Sequence, residues 1–310
     1  MKRFLYGTIL CGIVMALFVG MTTPTFAVDR FANDSDAINE KLGVPIVVLG
    51  DTLTDAQKDE TRKLLGVDDP SYVDEYTVDG QDIAHYINGN PNSRMFSSAK
   101  ITREEEGKGL TINIVTPENI TEVTSEMYAN ALLTAGAENA TVVVASPVKV
   151  TGHSALTGIY KAYDVDGAEL DKERMELAND ELDVATDLAK KEGMNDEKVT
   201  ELLAEIKKAI AEQDPATKED VERIVKEQLD KLEITLSDED RQLLINLFEK
   251  MRELDIDFDQ VKDQLDEISS KVKNKLEDLM ADEGFWQKVE NFFKKIINAI
   301  SHFMKGILGD

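Results

Sequence analysis

Three groups of side chains in this 310-residue chain have types and spacings that chemistry uses. Gly152-His153-Ser154-Ala155-Leu156 begins like a nucleophile elbow, in which glycines on both sides of a serine allow a tight strand-to-helix turn. The second glycine is replaced by Leu156, so Ser154 is expected to cap a helix instead. Asp164-Val165-Asp166-Gly167, with Glu173 six residues after the glycine, copies the later part of an EF-hand loop. There, alternate carboxylates and a closing glutamate wrap a calcium ion. The first ligand position would be Ala162, and Glu169 stands where the loop has an apolar residue. Asp164, Asp166 and Glu173 are thus a calcium candidate with two positions out of pattern, set against a domain junction with helix-capping acids. His85, His153 and His302 have no partners at ligand spacing, so a histidine metal site is not expected. Asp255, Asp257 and Asp259 read as a cap and a solvated face. No catalytic residue and no cofactor are implied.

The third group lies at the C-terminus. Phe285, Phe292, Phe293, Ile296 and Phe303 fall on one side of a helical projection, Lys288, Lys294 and Lys295 on the other, and the sole Trp, Trp286, opens the stretch. As a helix, the run from Phe285 to Leu308 would be about 36 Å long. Such a face buries itself in its own protein, lies on an anionic membrane surface, or enters a partner's groove. The surrounding charge favours the first: residues 285–310 carry a local charge of +2. The whole chain stands at -26, with 61 Asp and Glu against 35 Lys and Arg. Nucleic acid is not an expected partner, because phosphate backbones need a basic footprint.

Lys2 and Arg3, an apolar run from Phe4 to Val19 and Thr25-Phe26-Ala27 have the layout of a secretory signal, with cleavage expected after Ala27. The run is shorter than the roughly 20 residues a bilayer span takes. Cys11 is the one cysteine and lies inside it, so the mature chain would hold no disulfide, and packing must supply its stability. The expected location is secreted, extracellular or in the cell envelope.

The elements that would position these groups divide near residue 165. Before it, Ile46 to Leu49 reads as a strand, Thr54 to Gln57 as a capping box opening a helix to Leu65, and Tyr72 to Val78 as a second strand. A short helix follows from Gln81 to Ile87. Met95 to Glu104 and Leu110 to Val115 flank Glu105-Glu106-Gly107-Lys108-Gly109 and look like a β-hairpin. Glu122 to Ala135 reads as a helix ended by Gly136, Thr141 to Ala145 as a strand, and Ser154 to Tyr163 as a helix. After residue 165, helix starts recur at Asn195, Thr217, Ser237 and Asp257. The expected architecture is a signal over 1–27, an α+β or mixed α/β domain over 28–165, an acidic helical bundle or hairpin arm over 166–283, and the basic aromatic helix over 284–310.

Phe96-Ser97-Ser98-Ala99-Lys100-Ile101, Gly107-Lys108-Gly109-Leu110, Thr116-Pro117-Glu118-Asn119-Ile120-Thr121, Tyr128 to Gly136 and Ser154 to Ala162 resemble the YpuA-like family of secreted bacterial proteins, which carry a domain of unknown function. The similarity covers most of residues 40–270. It implies a bacterial exported protein without an established activity, and it transfers no site. The function expected is a non-enzymatic binding or interaction protein, reaching a peripheral membrane or a protein partner through the C-terminal helix. The alternative is an extracellular hydrolase acting on cell-wall or other polymer through carboxylates the sequence does not single out.

Overall fold

A computed structural model describes residues 42–168 and 170–281. The expected signal and the basic aromatic stretch lie outside the described residues. The first half alternates strands and helices: β1 (Ile46–Gly50), α1 (Asp55–Leu64), β2 (Asp74–Val78), α2 (Gly80–Ile87), β3 (Ser98–Arg103), β4 (Leu110–Ile114), α3 (Ser125–Ala135), β5 (Ala140–Ala145) and α4 (Ser154–Val165). Helices follow: α5 (Lys172–Ala189), α6 (Asp196–Gln213), α7 (Lys218–Lys231), α8 (Asp238–Glu253) and α9 (Lys262–Ala281). A mixed α/β part followed by a run of helices is the expected class.

Helix starts follow local hydrogen-bonding chemistry. Thr54 and Thr217 make reciprocal capping boxes with Gln57 and Asp220, and Asn195 and Ser237 accept from the N–H groups of Lys198 and Asp240. Two starts differ from expectation. Helix α3 begins after Thr124, whose hydroxyl accepts from Met127 N–H, and not at Glu122. Ser154 is not a cap: His153 before it is already helical and caps nothing with its side chain. The turn is made instead by Gly152 at φ 111°, whose carbonyl accepts a 2.5 Å bond from the Tyr128 hydroxyl. A side chain at Gly152 would meet Ile120, Val123 and that hydroxyl.

The five strands lie in the order β2-β1-β3-β5-β4. β1 runs parallel to β2, β4 runs parallel to β5, and β3 is antiparallel to both β1 and β5. The expected β3–β4 hairpin does not form, because β5 lies between them. Burial explains the order. β5 has Ala140, Val142 and Val144 fully buried on one face and Thr141 and Val143 half-buried on the other, as in an inner strand, whereas β4 alternates half-buried and exposed residues, as at an edge. The link between β3 and β4 wraps the start of β5, with Glu104 N–H donating to Asn139 O and Gly109 N–H to Asn139 Oδ1.

One face of the sheet carries α1 over a small core of Val47, Leu49, Leu65, Val67 and Ala145. The other carries α3 and α4, and the apolar core under them continues without a break into α5–α9. Acidic and basic side chains link the helices across this region. Lys231 on α7 donates to Glu205 on α6 at 2.7 Å, and Lys208 donates to Glu205 at 2.8 Å and to Asp266 on α9 at 2.5 Å. Burial pushes the Glu205 carboxyl up, but the bonds from Lys208 and Lys231 outweigh it and hold it at about 2. A depressed carboxyl stabilises the fold above its unfolded range and loses that effect as the pH falls through its folded value. Allowing for solvent screening, Glu205→Gln is expected to cost about 1–2 kcal/mol at neutral pH. In urea unfolding at successive pH values, the gap between variant and parent should narrow as the pH falls from 4.5 to about 2. A gap that stays constant over that range would show that Glu205 acts by packing alone.

Candidate interaction surface at the open edge of the sheet

The residues singled out by spacing do not converge. His153 Nε2 lies 3.2 Å from Thr186 Oγ1 and 3.3 Å from Asp183 Oδ1, tying α4 to α5. Burial pushes the Asp183 carboxyl up against the pull of His153. Among the described residues the His153 ring meets Thr186 and Asp183, and no hydrogen bond joins it to the Ser154 hydroxyl. Asp164 accepts a 2.8 Å bond from the Tyr86 hydroxyl on α2. Asp166 instead pairs at 3.1 Å with Arg103, whose guanidinium stands 4.5 Å from the centre of the Tyr163 ring. Glu173 lies elsewhere, on a cleft of about 230 Å³ between α5 and α8 that Glu176, Leu177, Asp180, Lys250, Glu253 and Leu254 also line. Among the described residues no three His, Cys, Asp or Glu side chains are grouped to hold a metal ion. Asp257 accepts from Asp259 N–H and Gln260, as a local turn. Phe285, Trp286, Lys288, Phe292, Phe293, Lys294, Lys295, Ile296 and Phe303 lie outside the described residues.

In an open α/β sheet the usual ligand crevice lies beyond the carboxyl ends of the parallel strands. Here β1, β2, β4 and β5 all end at the edge where β3 begins, and the space is filled by the chain itself. Met95 is fully buried there, its N–H bonded to Thr52 Oγ1 at 2.9 Å and its carbonyl to Thr52 N–H at 3.1 Å. Ser98 Oγ accepts from Gly50 N–H at 3.1 Å. Glycines at the end of β1 and the start of α2 make this approach possible: a Cβ at Gly50 would run into the Met95 carbonyl, and one at Gly80 into that of Pro91.

The two lateral edges of the sheet differ. At β4, Leu110 N–H donates to Gln264 Oε1 on α9 at 2.8 Å, and α3 and α9 pack beside it. At β2, residues Asp74 to Thr77 are exposed one after another. Asp74 N–H donates to Pro45 O and Asp51 N–H donates to Val78 O, each at 3.0 Å. With Ile46 opposite Asp74 and Gly50 opposite Val78, the alternation of a parallel ladder turns the main-chain groups of Asp74, Tyr76 and Val78 toward β1. Those of Glu75 and Thr77 therefore point away from the sheet, where no strand pairs with them among the described residues.

Exposed side chains accompany these outward groups. Tyr72, in the 3-10 turn Pro70–Tyr72, is 60% exposed and Tyr76 is 36% exposed. Glu75 shares a face with Val47 and receives two 2.7 Å bonds from Arg62 on α1, which hold its carboxyl below the usual range. Residues 67–93 contain Asp68, Asp69, Asp74, Glu75, Asp79 and Asp82 and neither Lys nor Arg. Motif spacing does not find this edge, since its groups are main-chain ones. A tyrosine pair four residues apart in a run without basic side chains is the signal the sequence does offer.

The family model described as a protein of unknown function (DUF1002) matches residues 49–268. The uncharacterized protein YpuA of Bacillus subtilis (strain 168) is 37% identical over 273 residues, which cover 85% of this chain and 91% of that relative. No solved structure matches the chain. With an aligned stretch that spans both the sheet and the helices packed on it, the chain belongs to the DUF1002 family of YpuA-like proteins.

Proposed function

We propose that this is an exported, non-enzymatic interaction protein that holds a partner segment along the outer side of β2. The observation carrying the reading is the row of outward main-chain groups at Glu75 and Thr77 on a strand whose residues Asp74 to Thr77 are all exposed, with exposed Tyr76 between them and exposed Tyr72 upstream. An unpaired edge is a template for another chain, and proteins that do not use one shield it. At the other edge the outward Leu110 N–H is taken by Gln264 on α9, and the inward side chains of β4 are half-buried where those of Asp74 to Thr77 on β2 are exposed. Export rests on the charged, apolar and small-residue sequence up to Ala27. In this reading the basic aromatic stretch beyond residue 284, whose burial in its own chain is the competing expectation, makes a second contact with an anionic membrane surface through Trp286, the phenylalanines and the lysines.

Thr77→Pro tests the edge. Proline suits a strand whose N–H faces solvent, so the β1–β2 ladder survives while the outward donor is lost. Mature protein is expected to retain a partner from its host's exported fraction, and the Thr77→Pro form to lose it. Removing residues 285–310 should lower recovery on anionic vesicles and leave that partner bound. Equal retention by parent and Thr77→Pro proteins would remove the edge from consideration, and equal vesicle recovery would remove the membrane contact.

A further inference from the structure

We propose that the partner at the β2 edge is an extended peptide bearing lysine or arginine, added to the sheet as a sixth strand. This rests on the interaction reading above and specifies the chemistry it accepts. An added strand would bond the main-chain N–H and C=O groups of Glu75 and Thr77, whose direction is set by the β1–β2 register. Its side chains would then alternate between two unlike surroundings. On the face shared with α1 they meet Glu75, already engaged by Arg62, and the small Thr77. That side favours neutral, β-branched residues, because a second cation there would compete with Arg62.

On the opposite face they meet Asp74 and Tyr76, with Tyr72 just upstream. An exposed carboxylate next to open tyrosine faces is a site for a cation, which gains both the charge and the ring quadrupole. The neighbourhood strengthens this preference. Glu75 and Asp82 are neutralised by Arg62 and Lys161, but Asp74 has no ion pair among the described residues and Asp68 and Asp69 precede it in sequence, so an acidic strand approaching that end of β2 is repelled. The whole chain at -26 adds long-range attraction for basic segments at low salt.

The test uses the mature full-length chain and two short capped peptides, one alternating lysine with valine and one alternating glutamate with valine, followed by fluorescence anisotropy and amide NMR. The lysine peptide should bind and the glutamate peptide should not. The shifted amides should centre on Glu75 and Thr77. Asp74→Lys should weaken binding about tenfold, the scale of one lost charged contact, and raised salt should weaken it as well. Thr77→Pro should abolish it, with circular dichroism unchanged.

Equal binding of the two peptides, or none of either, overturns the basic-peptide proposal. The Thr77→Pro experiment with the exported fraction then decides separately whether the edge binds anything. Lysine-peptide binding that survives Thr77→Pro overturns strand addition. Self-association of the chain that Thr77→Pro abolishes would assign the edge to a second copy and overturns the proposal too.

Discussion

Lys207→Met is expected to lower the stability of the protein by about 3–5 kcal/mol, the cost of stranding one member of a fully buried ion pair. Lys207 and Glu181 are 0% and 1% exposed where α3, α5 and α6 meet. Lys207 Nζ donates to Glu181 Oε1 at 2.6 Å and to the Asn130 carbonyl at 2.8 Å, and stands 5.7 Å from the centre of the Phe258 ring. Glu181 Oε2 takes a 2.6 Å bond from the Thr134 hydroxyl. Burial pushes the Lys207 amine down while Glu181 draws it back up, the opposing forces that make such a pair sensitive to the loss of either partner. Methionine fills the volume of the lysine stem, so packing changes little and the unpaired carboxylate dominates.

The control is the double replacement Lys207→Met with Glu181→Leu, which removes both charges and should return to within about 2 kcal/mol of the parent. Urea unfolding of the parent, both single variants and the double variant at one pH measures the coupling. Additive single costs would show that water reaches the pair and that it contributes little.

Gly50→Ala is expected to cost about 3 kcal/mol, the upper part of the range for overpacking a close-packed site. Its new methyl group would meet the Met95 carbonyl, a backbone atom that cannot swing aside, and the displacement would pull Ser98 Oγ from Gly50 N–H and Thr52 Oγ1 from Met95 N–H. Gly107→Ala offers a contrast. At φ 82° with nothing within 4 Å of a Cβ, it should lose only about 1 kcal/mol of left-handed conformational preference. Thermal unfolding of both variants separates crowding from backbone preference; a larger loss at Gly107 would mean that the strand-end contact is loose. Because Gly50 lies away from the outward side of β2, the alanine form should still bind whatever the edge binds, if it is folded.

Features set by neighbours in sequence were legible from the residues alone. The caps at Thr54, Asn195, Thr217 and Ser237 need only a hydroxyl or amide three residues before a free N–H, and Gly136 supplies the left-handed end of α3. Features set by remote packing were not. The β3–β4 segment has the glycines of a hairpin, yet β5, the more buried strand, takes the place between them. Glu181 and Lys207 each fall in highly charged helices where a charge normally marks the solvent side, and it is packing against α3 that makes theirs the inward side. At the candidate edge Tyr72 and Tyr76 were visible as part of a strand, but their exposure follows from β2 being outermost, which depends on the pairing of all five strands.

The insertion of β5 between β3 and β4 also imposes a timetable on the chain. Synthesised from its N-terminus, β3 can meet β1 early, but its second neighbour begins only at Ala140, and β4 has no partner until then. Loop closure over that distance makes the join slow relative to local helix formation. A ribosome or pore that withholds residues 140–145 therefore keeps the sheet unlatched, and the molecule stays threadable until most of its α/β half is through.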